Sequence, residues 1–183
     1  NTVFRGATAN SVAFKELIEA NRYVDYYVIG SYDSPQLFDR RDAEGELLHP
    51  NKQVWPSDLH SEQASARAEQ VYFSLVVPRK EVSQRKDGKP APVVILGHGH
   101  TGNRFDAINV GAFFARHGLA VIAIDNPGHG LSISDEEKDQ ARTVLASFGI
   151  GPFIDAAFKD RSFDMNYDGI SDSGADYWDF YLF

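Results

Sequence analysis

The 183 residues carry 26 acidic against 18 basic side chains, a formal charge of -8, with 43 % hydrophobic and 13 % aromatic residues. That apolar share suffices for one substantial core, and the negative charge disfavours nucleic acid and anionic lipid as partners. The absence of cysteine removes disulfides, thiolate nucleophiles and thiolate metal sites while leaving the compartment open, and no run of about 20 apolar residues reads as a transmembrane span. The first residue is Asn1 rather than methionine, so a chain processed or cut from something longer is expected.

In chain order, "NSVAFKELIEANRYV" places Phe14, Leu17 and Ile18 at helical spacing behind a Ser11 cap, which predicts a first helix. "YVDYYVIGSY" and "QVYFSLVVPR" are short, rich in Val, Tyr and Phe, and bounded by turn-formers, as strands are. The polar stretch between them reads as a long surface loop. "PRKEVSQRKDGKP" surrounds the turn dipeptide Asp87-Gly88 and reads as a solvated connection rather than a nucleic-acid patch.

The second half changes character. "APVVILG" is a continuous apolar run, "DAINVGAFFARHG" has helical periodicity and a glycine stop, and "LAVIAID" is another apolar run. Strand, helix and strand with both strands apolar throughout predict a βαβ unit in a parallel sheet, and a sheet stopped after the second of these strands would leave a long apolar edge. Ligands bind at the carboxyl ends of such strands. "GHGHTGN" stands at one of those ends and "DNPGHGLS" at the other.

A glycine-rich turn after a parallel strand can cradle a phosphate or aim backbone amides at a developing oxyanion. Gly97, Gly99 and Gly102 stand at G-x-G-x-x-G spacing, a weak signal alone, and no Lys-Ser/Thr pair of a P-loop follows them; the oxyanion use is the one expected here. His98 is expected to hydrogen-bond within its own turn. Asp125, His129 and Ser132 fall in a turn with a structural role, where Gly128 and Gly130 serve backbone geometry.

Further on, "DMNYDGISD" alternates Asp164, Asn166, Asp168 and Asp172 around Gly169. With the Ile170 carbonyl at the seventh position, these are the oxygens of a calcium loop. The bidentate Glu at the twelfth position is missing, since Ala175 stands there and Asp176 follows. Calcium, if held, would be structural.

"HGHTGN" after one strand, a helix, and "AVIAIDNPGHGLS" after the next together resemble the front half of the α/β-hydrolase fold. With "FGIGPFIDAAF" and the aspartate-rich segment, the resemblance narrows to large secreted or envelope-associated bacterial lipase- or esterase-like hydrolases. It covers the chain from about Val24 onward, most specifically after Pro92. It implies an α/β fold with a mainly parallel sheet and flanking helices, incomplete within these residues. The implied organisation is an N-terminal helix, strands and long loop over 1–91, a βαβ unit with the oxyanion-type loop over 92–134, and a helical insertion with the aspartate-rich loop over 135–183.

The backbone N–H of His100, with Thr101 next, is then the implied oxyanion donor, and His98, Gly99, Gly102 and Asp125 support the loop. The implied reaction is cleavage of a small-molecule or lipid carboxylic ester, with no cofactor needed for the chemistry. The implied location is secreted or cell-envelope.

The family works through a serine on a G-x-S-x-G elbow, followed by an acid and a histidine. No G-x-S-x-G exists in these residues. The nearest approaches are "LASFG" around Ser147 and "GLSIS" around Ser132, and the last histidine, His129, precedes both. The nucleophile, acid and base are therefore expected from a missing C-terminal half or a complementary chain. Two other readings stand beside this one: a non-catalytic calcium-stabilised interaction module on the same scaffold, and a dehalogenase or epoxide hydrolase using another nucleophile.

Overall fold

The computed structural model describes residues 12–37, 42–44, 48, 52, 57–58, 63–64, 66–131, 133–147, 149, 151–164 and 170–173. Helix α1 (Val12–Asn21) forms where the periodicity places it. Its inward contact is Ala20, 3 % exposed, whereas Ile18, expected on the buried face, is half exposed. The Ser11 cap and the side chains of Phe14 and Leu17 lie outside the described residues.

Strands β1 (Val24–Gln36) and β4 (Arg67–Pro78) pair antiparallel, from Val24 opposite Pro78 to Gln36 opposite Arg67. Between them, β2 (Ser57–Asp58) and β3 (Gln63–Ala64) form a small antiparallel pair in the stretch expected to be irregular. The basic connection becomes two short 3-10 turns, Lys80–Val82 and Gln84–Asp87, closed by left-handed Gly88. There Arg85 donates to the Pro78 carbonyl at 2.6 Å and to Asp25 at 2.8 Å.

The βαβ unit forms as expected from β5 (Val93–Leu96), α2 (Asp106–Ala115) and β6 (Ala120–Ile124). The two strands are parallel and in register from Val93 opposite Ala120 to Leu96 opposite Ala123. Two further helices follow, α3 (Asp135–Ala146) and α4 (Gly151–Ala157).

The four-stranded sheet has the order β1-β4-β6-β5. A mainly parallel sheet was expected. Among the described residues β1–β4 and β4–β6 are antiparallel, and only β5–β6 is parallel. Direction is set by which strands lie side by side, and composition hints at the difference. Uninterrupted apolar runs, the mark of a parallel strand buried on both faces, are confined to β5 and β6, whereas β1 and β4 carry Asp25, Asp33, Glu69 and Gln70.

Strand β5 carries an apolar edge. It is an edge strand among the described residues, and Val93 and Ile95 are 57 % and 81 % exposed. One of its faces is packed and the other is open. Such an edge is a ready template for another strand.

The core lies between α2 and the sheet. Helix α2 turns Ala107, Gly111, Ala112 and Ala115 inward, onto Val76 of β4 and Val121 of β6, which are both fully buried. Small residues let the helix axis come close. A Cβ built on Gly111 would stand 2.6 Å from Val76 Cγ2. Gly118, at φ 77°, then turns the chain out of the helix toward β6.

Helix propensity alone favours alanine over glycine by about 0.8–1 kcal/mol. At position 111 the clash with Val76 should reverse that sign. Gly111→Ala is expected to destabilise the fold by about 1–3 kcal/mol in urea unfolding. An alanine variant more stable than wild type would show that α2 is not held at this distance.

Candidate functional site

Two loops leave the parallel pair side by side at its carboxyl end. Residues 97–105 follow β5, and residues 125–131 follow β6. A buried ion pair joins them. Arg104 and Asp125 side chains are each 1 % exposed, and the Arg104 guanidinium donates through Nη1 to Asp125 Oδ2. The Arg104 backbone N–H donates to the other carboxylate oxygen at 2.7 Å.

The same guanidinium reaches a third segment. Its Nη2 donates to the carbonyls of Ala156 at 3.1 Å and Ala157 at 2.7 Å, at the C-terminal end of α4, where carbonyls lack helical partners. One cation therefore ties together the β5–α2 loop, the end of β6 and α4.

The residues after β6 are clasped to the segment after α4. Gly128 N–H donates to the Arg161 carbonyl at 3.0 Å, and Arg161 N–H donates to the His129 carbonyl at 3.1 Å. Leu131 N–H donates to Asp160 Oδ2 at 2.7 Å, and Gly130 N–H donates to Ser173 Oγ at 3.0 Å. The two glycines are needed for different reasons. Gly128 sits at φ 75°, and a Cβ on Gly130 would lie 2.2 Å from the Asp160 carboxyl carbon.

The residues expected to support the loop lie as follows. His98 bonds within its own turn as expected, through Nδ1 to the Gly99 carbonyl at 2.9 Å, and its Nε2 accepts the Asn126 N–H at 3.0 Å. Gly102 N–H donates to the Gly99 carbonyl at 3.0 Å. A Cβ on Gly102 would come within 3.1 Å of His98 Cβ, so this turn is tight, whereas Gly99 has open space around it. His129, 8 % exposed, faces the His100 carbonyl through Nε2 at 2.8 Å.

His100 and Thr101 are exposed at the tip of the loop. Neither backbone N–H has a hydrogen-bond partner among the described residues. Two adjacent free amides on a tethered loop can bind an anion or an oxyanion.

The two serines considered as nucleophiles differ in status. Ser147 donates its hydroxyl to the Val144 carbonyl at 2.5 Å, one turn back in α3, and Ser132 lies outside the described residues. Of the calcium loop, Asn166 and Asp168 lie outside them too. Asp164, Ile170 and Asp172 are described, and an antiparallel bridge joins Phe163 to Asp172, whose N–H donates to the Phe163 carbonyl at 2.7 Å. Among the described residues no group of three or more His, Asp or Glu side chains converges as a metal site.

Sequence reasoning missed Arg104. A signal existed: Asp125 ends an apolar strand, and a carboxylate at such a position requires a buried cation or donors. Neither a protein-family model, a curated protein nor a solved structure matches this chain.

Burial pushes the Asp125 carboxyl up from the usual carboxylate range, and the Arg104 guanidinium pulls against it. Arg104→Met removes that opposition, so the folded variant should keep the Asp125 proton at pH values where the unfolded chain has lost it. The folded state then binds more protons than the unfolded state above about pH 3.9. Stability therefore falls as pH rises, by up to about 1.4 kcal/mol per pH unit, until the folded-state pKa is passed. In urea unfolding, Arg104→Met is expected to cost about 3–5 kcal/mol at pH 8 and less at pH 5. Adding Asp125→Asn should remove the extra pH slope. A penalty equal at both pH values would mean that Arg104 acts through packing and the α4 carbonyls alone.

Proposed function

We propose that this chain is the oxyanion-loop part of a serine hydrolase of α/β-hydrolase type that cleaves carboxylic esters. The observation that carries the reading is the pair of N–H groups of exposed His100 and Thr101, without a hydrogen-bond partner among the described residues, on a loop at the carboxyl end of a parallel strand. In this fold the loop between the third strand of the sheet and its helix supplies one oxyanion amide. If the two-residue strands are set aside, β5 is the third strand of the chain and α2 follows it. The order β1-β4-β6-β5, with an antiparallel start and a crossover into a parallel pair, supports the same assignment.

Chemically, a tetrahedral intermediate of ester cleavage places a full negative charge on the former carbonyl oxygen. Preorganised amides stabilise that charge, and removing one such donor costs about 2.7–4 kcal/mol of transition-state stabilisation. The nucleophile comes from outside these residues in this reading, since they hold no G-x-S-x-G. Ser147 has its hydroxyl proton committed to a helix carbonyl.

Fluorophosphonate labelling of the purified chain and of its natural gene product tests the proposal. The expected result is no adduct on Ser132 or Ser147, and a labelled serine within a G-x-S-x-G in the gene product. A stoichiometric adduct on either of those two serines, or a gene product with no labelled serine, contradicts it.

A structural calcium held by Asp164, Asn166, Asp168, the Ile170 carbonyl and Asp172 belongs to the same proposal. The Phe163–Asp172 bridge brings the ends of that segment together, which lowers the entropy cost of closing a loop around an ion. Calcium is expected to slow proteolysis of the wild-type chain and to have no effect on Asp168→Ala. Wild-type cleavage indifferent to calcium would exclude the ion.

A further inference from the structure

We infer that His98 and His129 are positioning residues that aim the His100 and Thr101 amides by locking the peptide planes that carry them. The inference rests on the hydrolase reading only for what those amides bind, not for how they are oriented.

In a trans peptide the C=O and the following N–H point to opposite sides of one plane, and no peptide among the described residues is cis. Whatever holds a carbonyl therefore aims the next residue's N–H. The Gly99 carbonyl accepts from Gly102 N–H at 3.0 Å and from His98 Nδ1 at 2.9 Å. The His100 N–H, on the same plane, must point away from both. The His100 carbonyl accepts from His129 Nε2 at 2.8 Å. The Thr101 N–H is thereby directed away from His129. Both carbonyls are engaged by histidine side chains, and both amides are left without a partner among the described residues.

The proton inventory assigns each ring. His98 Nε2 accepts the Asn126 N–H at 3.0 Å, so it carries no proton, and Nδ1 carries the one that goes to Gly99. His129 has carbonyl oxygens opposite both nitrogens, His100 at 2.8 Å and Pro127 at 3.2 Å, and the shorter contact places the proton on Nε2. His98 cannot take a proton on Nε2 without releasing the Asn126 N–H. The rings also pack on each other, with centroids 4.9 Å apart.

His129 is itself held from two sides. Its N–H donates to the Asn126 carbonyl at 3.0 Å, and its carbonyl accepts the Arg161 N–H at 3.1 Å. A ring with a purely space-filling role would need no partner in an exposed loop 29 residues earlier in the chain. This one transmits the order of the 160–162 segment to the peptide that presents Thr101.

NMR on the full 15N-labelled chain tests the inference. Ring proton–nitrogen correlations should show His98 as the Nδ1–H tautomer and His129 as the Nε2–H tautomer. His129→Phe, which keeps a ring and deletes the donor, should lower the order parameter of the Thr101 amide from a rigid value to below about 0.6, leaving α2 and β6 amides unchanged. His129→Gln, which restores an N–H donor, should recover most of it. Phenylphosphonate should shift the His100 and Thr101 amides of the wild type and bind at least about tenfold more weakly, about 1.4 kcal/mol, to the Phe variant.

A Thr101 amide equally rigid in His129→Phe, or an Nε2–H tautomer at His98, overturns the inference. Should the Phe variant unfold, seen as collapse of the α2 and β6 amide dispersion, the wild-type tautomers decide alone. Loss of Thr101 order in His129→Phe with no phosphonate response in the wild type upholds the positioning role and counts against the hydrolase reading instead.

Discussion

The arrangement at the carboxyl end of the sheet depends on one buried ion pair, Arg104 with Asp125. Two charges removed from water cost several kcal/mol each, and their attraction repays that only when the remaining donors and acceptors are also satisfied. Here Asp125 takes both the guanidinium and the backbone N–H of Arg104, and the guanidinium takes two carbonyls at the end of α4 as well, which leaves Nε as its one buried donor without a partner among the described residues. A hydrophobic pair of similar volume could fill the space, but it could not fix three chain segments in one register. The polar network makes the junction specific.

From that junction, order spreads outward to the loop tip. Arg104 anchors the far end of the 97–105 loop, His98 ties its near end to Asn126, and His129 reaches its middle. The result is a loop whose tip is exposed while its base is fixed. This is the combination a preorganised binding site needs, because amides already oriented pay no reorganisation when charge develops against them. The open edge and open face of β5, with Val93 and Ile95 exposed, lie on the strand that carries this loop. In the proposed enzyme, further strand and helix would cover them.

Much of this was legible before the fold. The apolar runs of β5 and β6, the helical period of α2 and the glycine stop at Gly118 gave the βαβ unit, because a buried parallel pair leaves a continuous hydrophobic signature. His98 and the loop glycines stood out because glycine clusters at strand ends serve backbone geometry. What stayed hidden was long-range and polar. The direction of β1 and β4 is set by which strand lies beside which, and local composition hints at it only through their acidic residues. Arg104 looked like one more loop charge, since its partner is 21 residues away and its carbonyl partners are more than 50 away. The clasp of Gly128, Gly130 and Leu131 onto 160–173 has no periodicity at all, so no pattern could announce it.

The most direct measurement is a crystal structure of the natural gene product carrying a phosphonate on its reactive serine. The account predicts a phosphonyl oxygen about 2.7–3.1 Å from the backbone nitrogen of His100 or Thr101, with His129 still bonded to the His100 carbonyl. A phosphonyl oxygen held elsewhere, with both amides facing solvent, would contradict it.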